Sequence, residues 1–218
     1  METVDVLRRC GVIAILRGID NDRVVPIVQA LYEGGIKAVE VTLNHPDSMK
    51  SIALLENEFG KEICIGAGTV LNEDSARAAI SAGARFIISP SLNLQTIEMT
   101  KQLGAVSIPG AYTPTEILTA YENGADFVKV FPATALGPGF LKDMKGPLPY
   151  IPLIPTGGIN VENAFDFLQA GAVAIGIGSS LVGASQKIDQ ESLASVKERA
   201  QAFMSECGKA KEQGVWSA

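Results

Sequence analysis

Four polar or charged side chains interrupt apolar stretches of this sequence at positions where they could do chemistry: Arg17, Glu40, Thr69 and Lys129. Lys129 is the sharpest of them, because it stands in the middle of the apolar stretch 127–131. In a strand, Lys129 shares one face with Phe127 and Phe131, so burial of that face removes water from the amine. Desolvation lowers the pKa of a lysine and favours the neutral amine that attacks a carbonyl carbon. Lys129 is therefore predicted to be a nucleophile that forms a Schiff base with a keto substrate.

Glu40 occupies a similar place in a second apolar stretch, 38–43. An isolated carboxylate is costly to bury, so it needs a partner or a task. If Glu40 and Lys129 face each other across the inside of a sheet, the carboxylate can move protons for a Schiff-base reaction. The alternative is a buried ion pair without chemistry. Such pairs contribute little to stability, which weakens that alternative.

Arg17 and Thr69 each lie where an apolar stretch ends. A guanidinium at the end of a strand suits bidentate binding of a substrate carboxylate, although a solvated arginine on the rim explains the position nearly as well. Thr69 follows two glycines, Gly66 and Gly68, which could simply relieve crowding. Its hydroxyl can donate a hydrogen bond to a carboxylate. The two residues predict an anion-binding part of the site.

Two glycine-rich turns come late in the chain, at 156–160 and 176–180. Glycine allows the backbone to approach a phosphate closely, and the loops after the seventh and eighth strands of a (β/α)8 barrel commonly bind phosphate. Either turn alone is weak evidence, because glycine is ordinary in loops. The two together predict a phosphate cradle made of loop amides.

The elements that must position these residues follow a repeated pattern of helix, glycine turn and short apolar strand. Eight strand candidates are found, at 12–17, 38–43, 64–70, 86–90, 106–111, 127–132, 153–156 and 174–178. Helical patterns follow them without a linker, which predicts an α/β protein, a single-domain (β/α)8 TIM barrel over residues 1–218. A doubly wound open sheet is the main alternative. Residues from about 205 onwards are polar and are predicted to form a loose tail. The presence of Trp216 in such a tail is unexplained.

Composition excludes several kinds of partner. The net charge is −6 and no run of Lys or Arg forms a basic stripe, so no nucleic acid partner is predicted. Neither a leader nor a membrane-length apolar stretch is recognised, which predicts a cytoplasmic protein without a membrane partner. Cys10, Cys64 and Cys207 are too scattered for a disulfide framework and are predicted to be reduced. His45 is the only histidine and the cysteines form no pair, so no transition-metal site is predicted.

The short motifs, in their order along the chain, resemble the 2-keto-3-deoxy-6-phosphogluconate (KDPG) and 4-hydroxy-2-oxoglutarate (KHG) aldolase family. The matching segments span nearly the whole chain: Ile15-Leu16-Arg17-Gly18, Val39-Glu40-Val41-Thr42, Gly66-Ala67-Gly68-Thr69-Val70, Ile88-Ser89-Pro90, Ile108-Pro109-Gly110, Lys129-Val130-Phe131-Pro132 and Pro155-Thr156-Gly157-Gly158-Ile159. The resemblance implies a class I aldolase of the Entner–Doudoroff pathway. It also implies a homotrimer that needs no cofactor and takes a keto-acid sugar phosphate as its substrate.

The resemblance gives roles to individual residues as well. It implies that Lys129 forms the Schiff base and that Glu40 transfers protons. The other implied contacts are Arg17 and Thr69 near the pyruvyl carboxylate, Pro90 and Phe131 as pocket walls, and Gly157, Gly158, Ser179 and Ser180 at the phosphate.

The chain resembles two branches of the family, which differ in the sugar epimer that they cleave. Arg17 and the segment 43–46 resemble the galactonate branch, whereas Thr42 and the segment 156–158 resemble the gluconate branch. Cleavage of KDPG to pyruvate and glyceraldehyde 3-phosphate, with KHG as a second substrate, is the prediction, and the galactonate epimer of KDPG is the alternative. A sugar-phosphate epimerase and a non-catalytic sugar-phosphate-binding barrel are more distant alternatives. Neither explains why a lysine and a glutamate both lie inside apolar strands.

Overall fold

The computed structural model describes residues 2–184 and 187–216, in which strands alternate with helices. The strands are β1 (Val12–Leu16), β2 (Ala38–Thr42), β3 (Cys64–Gly68), β4 (Phe86–Ile88), β5 (Val106–Ile108), β6 (Gly110–Ala111), β7 (Val128–Val130), β8 (Leu153–Pro155) and β9 (Ile175–Ile177). The helices are α1 (Thr3–Cys10), α2 (Asn21–Glu33), α3 (Ser48–Phe59), α4 (Glu73–Ser81), α5 (Leu94–Gln102), α6 (Pro114–Glu122), α7 (Gly137–Lys145), α8 (Val161–Gln169) and α9 (Gln190–Glu212). Every predicted strand segment contains an observed strand, so the predicted α/β alternation is confirmed.

All strand pairings in the described structure are parallel. Six strands form one sheet in the order β5-β4-β3-β2-β1-β9, and three form another in the order β6-β7-β8. Only Pro109 separates β5 from β6, and its carbonyl accepts from the Lys129 N–H at 2.9 Å, so the first sheet runs on into the second. A parallel bridge between Thr156 and Gly176 brings β8 beside β9. The result is a curled parallel sheet, and among its described strands there is no reversal of order of the kind that defines a doubly wound sheet.

An apolar layer fills the inside of the curl, mostly toward the N-terminal ends of the strands. Its members are Ile13, Ala38, Cys64, Phe86, Ile88, Val106, Ile108, Phe127, Ile154 and Ala174. Helix α1, which has no counterpart in the predicted repeat, packs Val6 and Leu7 against this layer. The other helices cover the outer face of the sheet through a separate apolar cluster. The floor formed by α1 leaves the C-terminal ends of the strands as the open end of the curl.

The C-terminal segment is not the loose tail expected from about residue 205, and its polar composition is the reason for the error. Helix α9 runs through this segment, and Phe203 and Cys207 are buried four residues apart on its inner face. Trp216 is 6% exposed, and its indole N–H donates to the carbonyl of Val173 at 3.0 Å. In an amphipathic helix only one stripe of residues faces the core, so a mostly polar sequence can still be firmly packed.

The thiols of Cys10, Cys64 and Cys207 are free, as their spacing predicted, and all three are buried. None of the helices within residues 2–184 and 187–216 combines the length and the apolar character needed to cross a membrane. The same ranges contain no group of three or more His, Cys, Asp or Glu placed to hold a metal ion.

Candidate active site

The open end of the curled sheet holds the predicted catalytic pair inside the protein. Glu40 on β2 and Lys129 on β7 are 2% and 5% exposed. Strand alternation puts both above the apolar floor, because Glu40 is two residues beyond Ala38 and Lys129 is two residues beyond Phe127. The amine of Lys129 lies 4.7 Å from the centre of the Phe131 ring. The pair is therefore largely removed from bulk water.

This burial shifts the proton equilibria of both groups. Burial lowers the pKa of Lys129, with the carboxylate of Glu40 opposing the shift and the charge of Arg17 adding to it. Burial raises the pKa of Glu40, and the charges of Lys129 and then Arg17 act in the opposite direction. The dominant cause is the same for both, because a charge is less stable away from water. The site thus contains an amine suited to nucleophilic attack and a carboxyl group suited to taking and giving protons.

One oxygen of the carboxylate of Glu40 is unoccupied by the protein. Its Oε2 atom is buried and has no hydrogen-bond partner in the described part of the chain. A buried polar atom without a partner costs about 1–3 kcal/mol, which a water or a ligand hydroxyl can offset by binding there. This oxygen is therefore free to accept a hydrogen bond or a proton from a bound molecule.

A cavity of about 420 Å³ opens at the same end of the sheet. Six predicted substrate-binding residues line it: Arg17, Phe131, Gly157, Gly158, Ser179 and Ser180. The other four predicted site residues, Glu40, Thr69, Pro90 and Lys129, do not belong to its wall. Phe131 connects the two groups, because its ring both lines the cavity and lies against the amine of Lys129.

The two predicted glycine turns meet in the wall of this cavity. The Ser180 hydroxyl donates to the carbonyl of Ile159 at 2.6 Å, which ties the second turn to the first. Gly157 and Gly158 have φ angles of 98° and 72°, in the left-handed region that favours glycine. In the described part of the chain, the amides of Gly157, Gly158, Ser179 and Ser180 donate to no protein acceptor. Free amides in glycine-rich turns can bind anions, and a phosphate is a suitable ligand for this wall of the cavity.

Arg17 supplies a second attraction for an anion. Its side chain is exposed at the cavity and makes neither an ion pair nor a hydrogen bond with residues 2–184 and 187–216. The guanidinium is therefore available to a ligand, and its charge also acts on Glu40 and Lys129. An anionic group bound to Arg17 would lie close to the reacting pair.

Thr69 and Pro90 follow the ends of β3 and β4 on the same C-terminal edge of the sheet. Thr69 has a φ angle of 57°. That conformation is unfavourable for a β-branched residue by about 1–3 kcal/mol and is characteristic of functional sites. A side chain on Gly110 would begin 2.4 Å from the carbonyl carbon of Pro90, so β6 approaches Pro90 closely. Both residues are half-buried near the strands that carry Glu40 and Lys129 but outside the cavity wall.

Three cavity residues carry little or no signal in the sequence: Ile15, Val182 and Ala184. Ile15 could have been inferred, since it shares a strand face with Arg17. Val182 and Ala184 lie in a loop whose path only the folded chain defines. Thr156 also lines the cavity and is 6% exposed, and its polarity at a strand end was the usable signal.

Asn44 and His45 follow β2 and have defined partners. The Thr42 hydroxyl donates to Asn44 Oδ1 at 2.6 Å. His45 Nδ1 accepts from the Asp47 N–H at 3.3 Å, and its Nε2 lies 3.4 Å from Asp20 Oδ1. His45 therefore joins the loop after β2 to the loop after β1 and does not line the cavity.

The chain is similar in sequence and in overall fold to known proteins. A family model described as KDPG and KHG aldolase matches residues 3–198. The chain is similar to a 2-dehydro-3-deoxy-6-phosphogalactonate aldolase of Escherichia coli (strain K12), with 37% identity over 82% of this chain and 87% of that protein. It is also similar to a 2-dehydro-3-deoxy-phosphogluconate aldolase of Treponema pallidum (strain Nichols), with 34% identity over 83% of this chain and 86% of that protein. A solved KDPG aldolase from Legionella pneumophila, with pyruvate captured at low pH as a covalent carbinolamine intermediate, superposes with a TM-score of 0.85 at 31% identity and covers 93% of this chain and 98% of that chain.

Proposed function

The chain belongs to the KDPG and KHG aldolase family, and we propose that it is a class I aldolase that reversibly cleaves KDPG to pyruvate and glyceraldehyde 3-phosphate. KHG, which yields pyruvate and glyoxylate, is its second substrate. The observation that carries the proposal is a buried lysine, Lys129, beside a buried glutamate, Glu40, at the end of the sheet where an anion-binding cavity opens. A Schiff-base aldolase needs these three features together.

Cleavage begins when the neutral amine of Lys129 attacks the C2 carbonyl of the substrate. The resulting carbinolamine loses water and becomes an iminium ion, which can accept the electrons of the C3–C4 bond. Glu40 takes the proton of the C4 hydroxyl through a water bound at its free oxygen. As that proton leaves, the C3–C4 bond breaks, the C4 hydroxyl becomes the aldehyde of glyceraldehyde 3-phosphate, and an enamine remains on Lys129. Glu40 then returns the proton to C3, and hydrolysis of the iminium frees pyruvate and the amine.

The substrate is held at both ends during this sequence. Arg17 and Thr69 bind the pyruvyl carboxylate, and the amides of the two glycine turns bind the distal phosphate. Pro90 and Phe131 form apolar walls between the two anchors. Anchoring both ends fixes the reacting bond near Lys129. This lowers the entropic part of the activation free energy for cleavage.

The proposal also covers the architecture and the assembly of the chain. We assign the curled sheet to a closed (β/α)8 barrel in one domain, supported by the continuity at Pro109 and the bridge between Thr156 and Gly176. We also propose that the chain forms a homotrimer. We place this homotrimer in the cytoplasm, where it would act in the Entner–Doudoroff breakdown of sugar acids. A supporting relative, 34% identical with a TM-score of 0.89, is a designed cage made by fusing symmetric oligomeric domains. Light scattering on the purified chain measures the number of subunits directly.

The galactonate epimer of KDPG is the second candidate substrate, because Arg17 and Asn44 resemble that branch and a relative named as a 2-dehydro-3-deoxy-6-phosphogalactonate aldolase is 37% identical. The two epimers differ only at C4, so a parallel measurement of pyruvate release from each at equal concentration separates the candidates. We expect the higher kcat/KM with KDPG. A higher kcat/KM with the galactonate epimer would transfer the proposal to that substrate and leave the Schiff-base chemistry in place.

Replacement of Arg17 and of Ser179 should separate the two ends of the substrate. We expect Arg17→Ala to weaken pyruvate and KDPG alike by about 10–100-fold, the range for a charged hydrogen bond. Ser179→Asp puts a negative charge beside the free amides, so it should raise KM for KDPG and leave KHG cleavage, which involves no phosphate, close to the wild-type rate. KM values for KDPG and KHG and proton exchange on pyruvate are the measurements, with Ser179→Ala as the uncharged control. If Arg17→Ala harmed only phosphorylated substrates, Arg17 would belong to the phosphate end.

A further inference from the structure

Gly68 lies beside the catalytic carboxylate rather than beside a wall of the core. It is the last residue of β3, and in the parallel pairing of β2 with β3 it stands opposite Thr42, whereas Glu40 stands opposite Gly66. A side chain in a strand leans along the strand direction as well as away from the sheet. The side chain of Glu40 can therefore reach the level of Gly68, two residues nearer the open end.

The space that a side chain at position 68 would need is filled by Glu40. A Cβ atom built on Gly68 would lie 1.6 Å from Oε1, 2.3 Å from Cδ and 2.6 Å from Cγ of Glu40. The whole end of the glutamate thus rests over the bare backbone of Gly68. Two residues of strand correspond to a rise of about 6.6 Å, so this placement carries the carboxylate from the level of its own strand position to the edge of the sheet.

Hydrogen bonds do not explain why the carboxylate stays there. Glu40 Oε2 has no partner in the described part of the chain, and no described side chain donates to the carboxylate. Shape and charge remain: the gap over Gly68 receives the carboxylate, and the charges of Lys129 and Arg17 attract it. If a side chain filled the gap, the carboxylate would have to move.

We infer that Gly68 is a positioning residue, whose missing side chain lets the carboxylate of Glu40 stand at the open end of the sheet where it serves Lys129. The inference rests on the proposed aldolase function. Because the carboxylate is the end of a flexible side chain, Gly68→Ala can be accommodated by swinging Glu40 aside while the strands stay in place. The loss should therefore fall on proton transfer and spare formation of the Schiff base.

Gly66 shows the contrast on the same strand. A Cβ atom at Gly66 would lie 2.3 Å from ring carbons of Phe86, a buried side chain of the apolar floor. That ring cannot swing into solvent, so Gly66 serves packing. The two glycines of this strand, alike in the sequence, have different roles because different side chains occupy the space above them.

The test is a cycle of Gly68→Ala and Glu40→Gln, singly and together. We expect Gly68→Ala to slow KDPG cleavage and proton exchange on pyruvate by about 100-fold or more, within the range for loss of a general acid–base group. Borohydride with pyruvate should still modify Lys129 in that variant. In the Glu40→Gln background, where the acid–base group is already lost, adding Gly68→Ala should cost less than about threefold, because the two changes act on one function. Gly208→Ala, whose new methyl group meets nothing within 4 Å, is the matched control.

Three results would overturn the inference. The first is cleavage by Gly68→Ala at the wild-type rate, and the second is an equal loss from Gly68→Ala in the wild-type and Glu40→Gln backgrounds. The third is a folded Gly68→Ala protein that has lost both cleavage and borohydride labelling. If Gly68→Ala does not fold, thermal unfolding of Glu40→Ala and Glu40→Ala/Gly68→Ala decides. With the glutamate side chain gone the methyl group has room, so the double variant should match the Tm of Glu40→Ala, and a far lower Tm would refute the steric relation. A wild-type protein that forms no Schiff base would instead refute the proposed function.

Discussion

Lys129→Ala should abolish cleavage of KDPG and of KHG, with a fall in kcat of about 10⁴-fold or more, as for other lost catalytic nucleophiles. The reason is that the iminium ion is the only electron sink in the proposed reaction and Lys129 is the amine placed to form it. Burial lowers the pKa of this amine, so neutral amine is present at a lower pH than for an exposed lysine. The rate of Schiff-base formation should accordingly rise with pH and level off below the ordinary lysine pKa of about 10.4.

Lys129→Met is the matched control for packing, because methionine is a flexible side chain of similar shape without the amine. It should be as well folded as the wild type by circular dichroism and still inactive. The cavity and Arg17 are untouched in this variant, so it should still bind pyruvate non-covalently. Appreciable cleavage by Lys129→Met would show that another group carries the reaction.

Glu40→Gln is expected to give the second largest loss, a fall in kcat for KDPG cleavage of about 10²–10⁴-fold. Glutamine fills the same space over Gly68 and can still accept a hydrogen bond, but it cannot take the proton of the C4 hydroxyl. Formation of the Schiff base with pyruvate should persist, because the attack itself needs only the neutral amine of Lys129. Single-turnover kinetics separate the two steps.

Asp20→Asn provides the comparison for Glu40→Gln, since it also removes a carboxylate from the open end of the sheet. The Asp20 side chain is 60% exposed and pairs with His45 and Arg23 rather than with Lys129. Its replacement should leave the rate of cleavage close to that of the wild type. If Glu40→Gln did the same, Glu40 would be a structural residue, and another group would have to move the protons.

The sequence predicted the parts of this site that local patterns describe. Lys129 and Glu40 interrupt apolar strands, and period-two alternation was enough to put both inside the sheet. The glycine turns at 156–160 and 176–180 were predicted to form one cradle, and residues of both turns line one cavity; that Arg17 lines the same cavity was not predicted. Each of these inferences needs only the residue type and its position in a repeating unit.

The remaining features depend on contacts between distant segments. Helix α1 precedes the first strand and so lies outside the repeat, although it forms the floor of the curl. The packing of Trp216 depends on the carbonyl of Val173, which no local pattern reveals. Gly68 and Gly66 are indistinguishable in the sequence, because their roles are decided by Glu40 and Phe86 on neighbouring strands.

The most direct test of the central claim is reduction with sodium borohydride in the presence of pyruvate, read by intact mass and then by peptide mapping. We expect one 1-carboxyethyl group per chain, the reduced form of the pyruvate Schiff base, attached to Lys129, and no such adduct when pyruvate is left out. The Glu40→Gln protein should give the same adduct, and the Lys129→Met protein should give none. An adduct on another lysine, or a wild-type protein that cleaves KDPG without forming any adduct, would contradict a Schiff-base mechanism at Lys129.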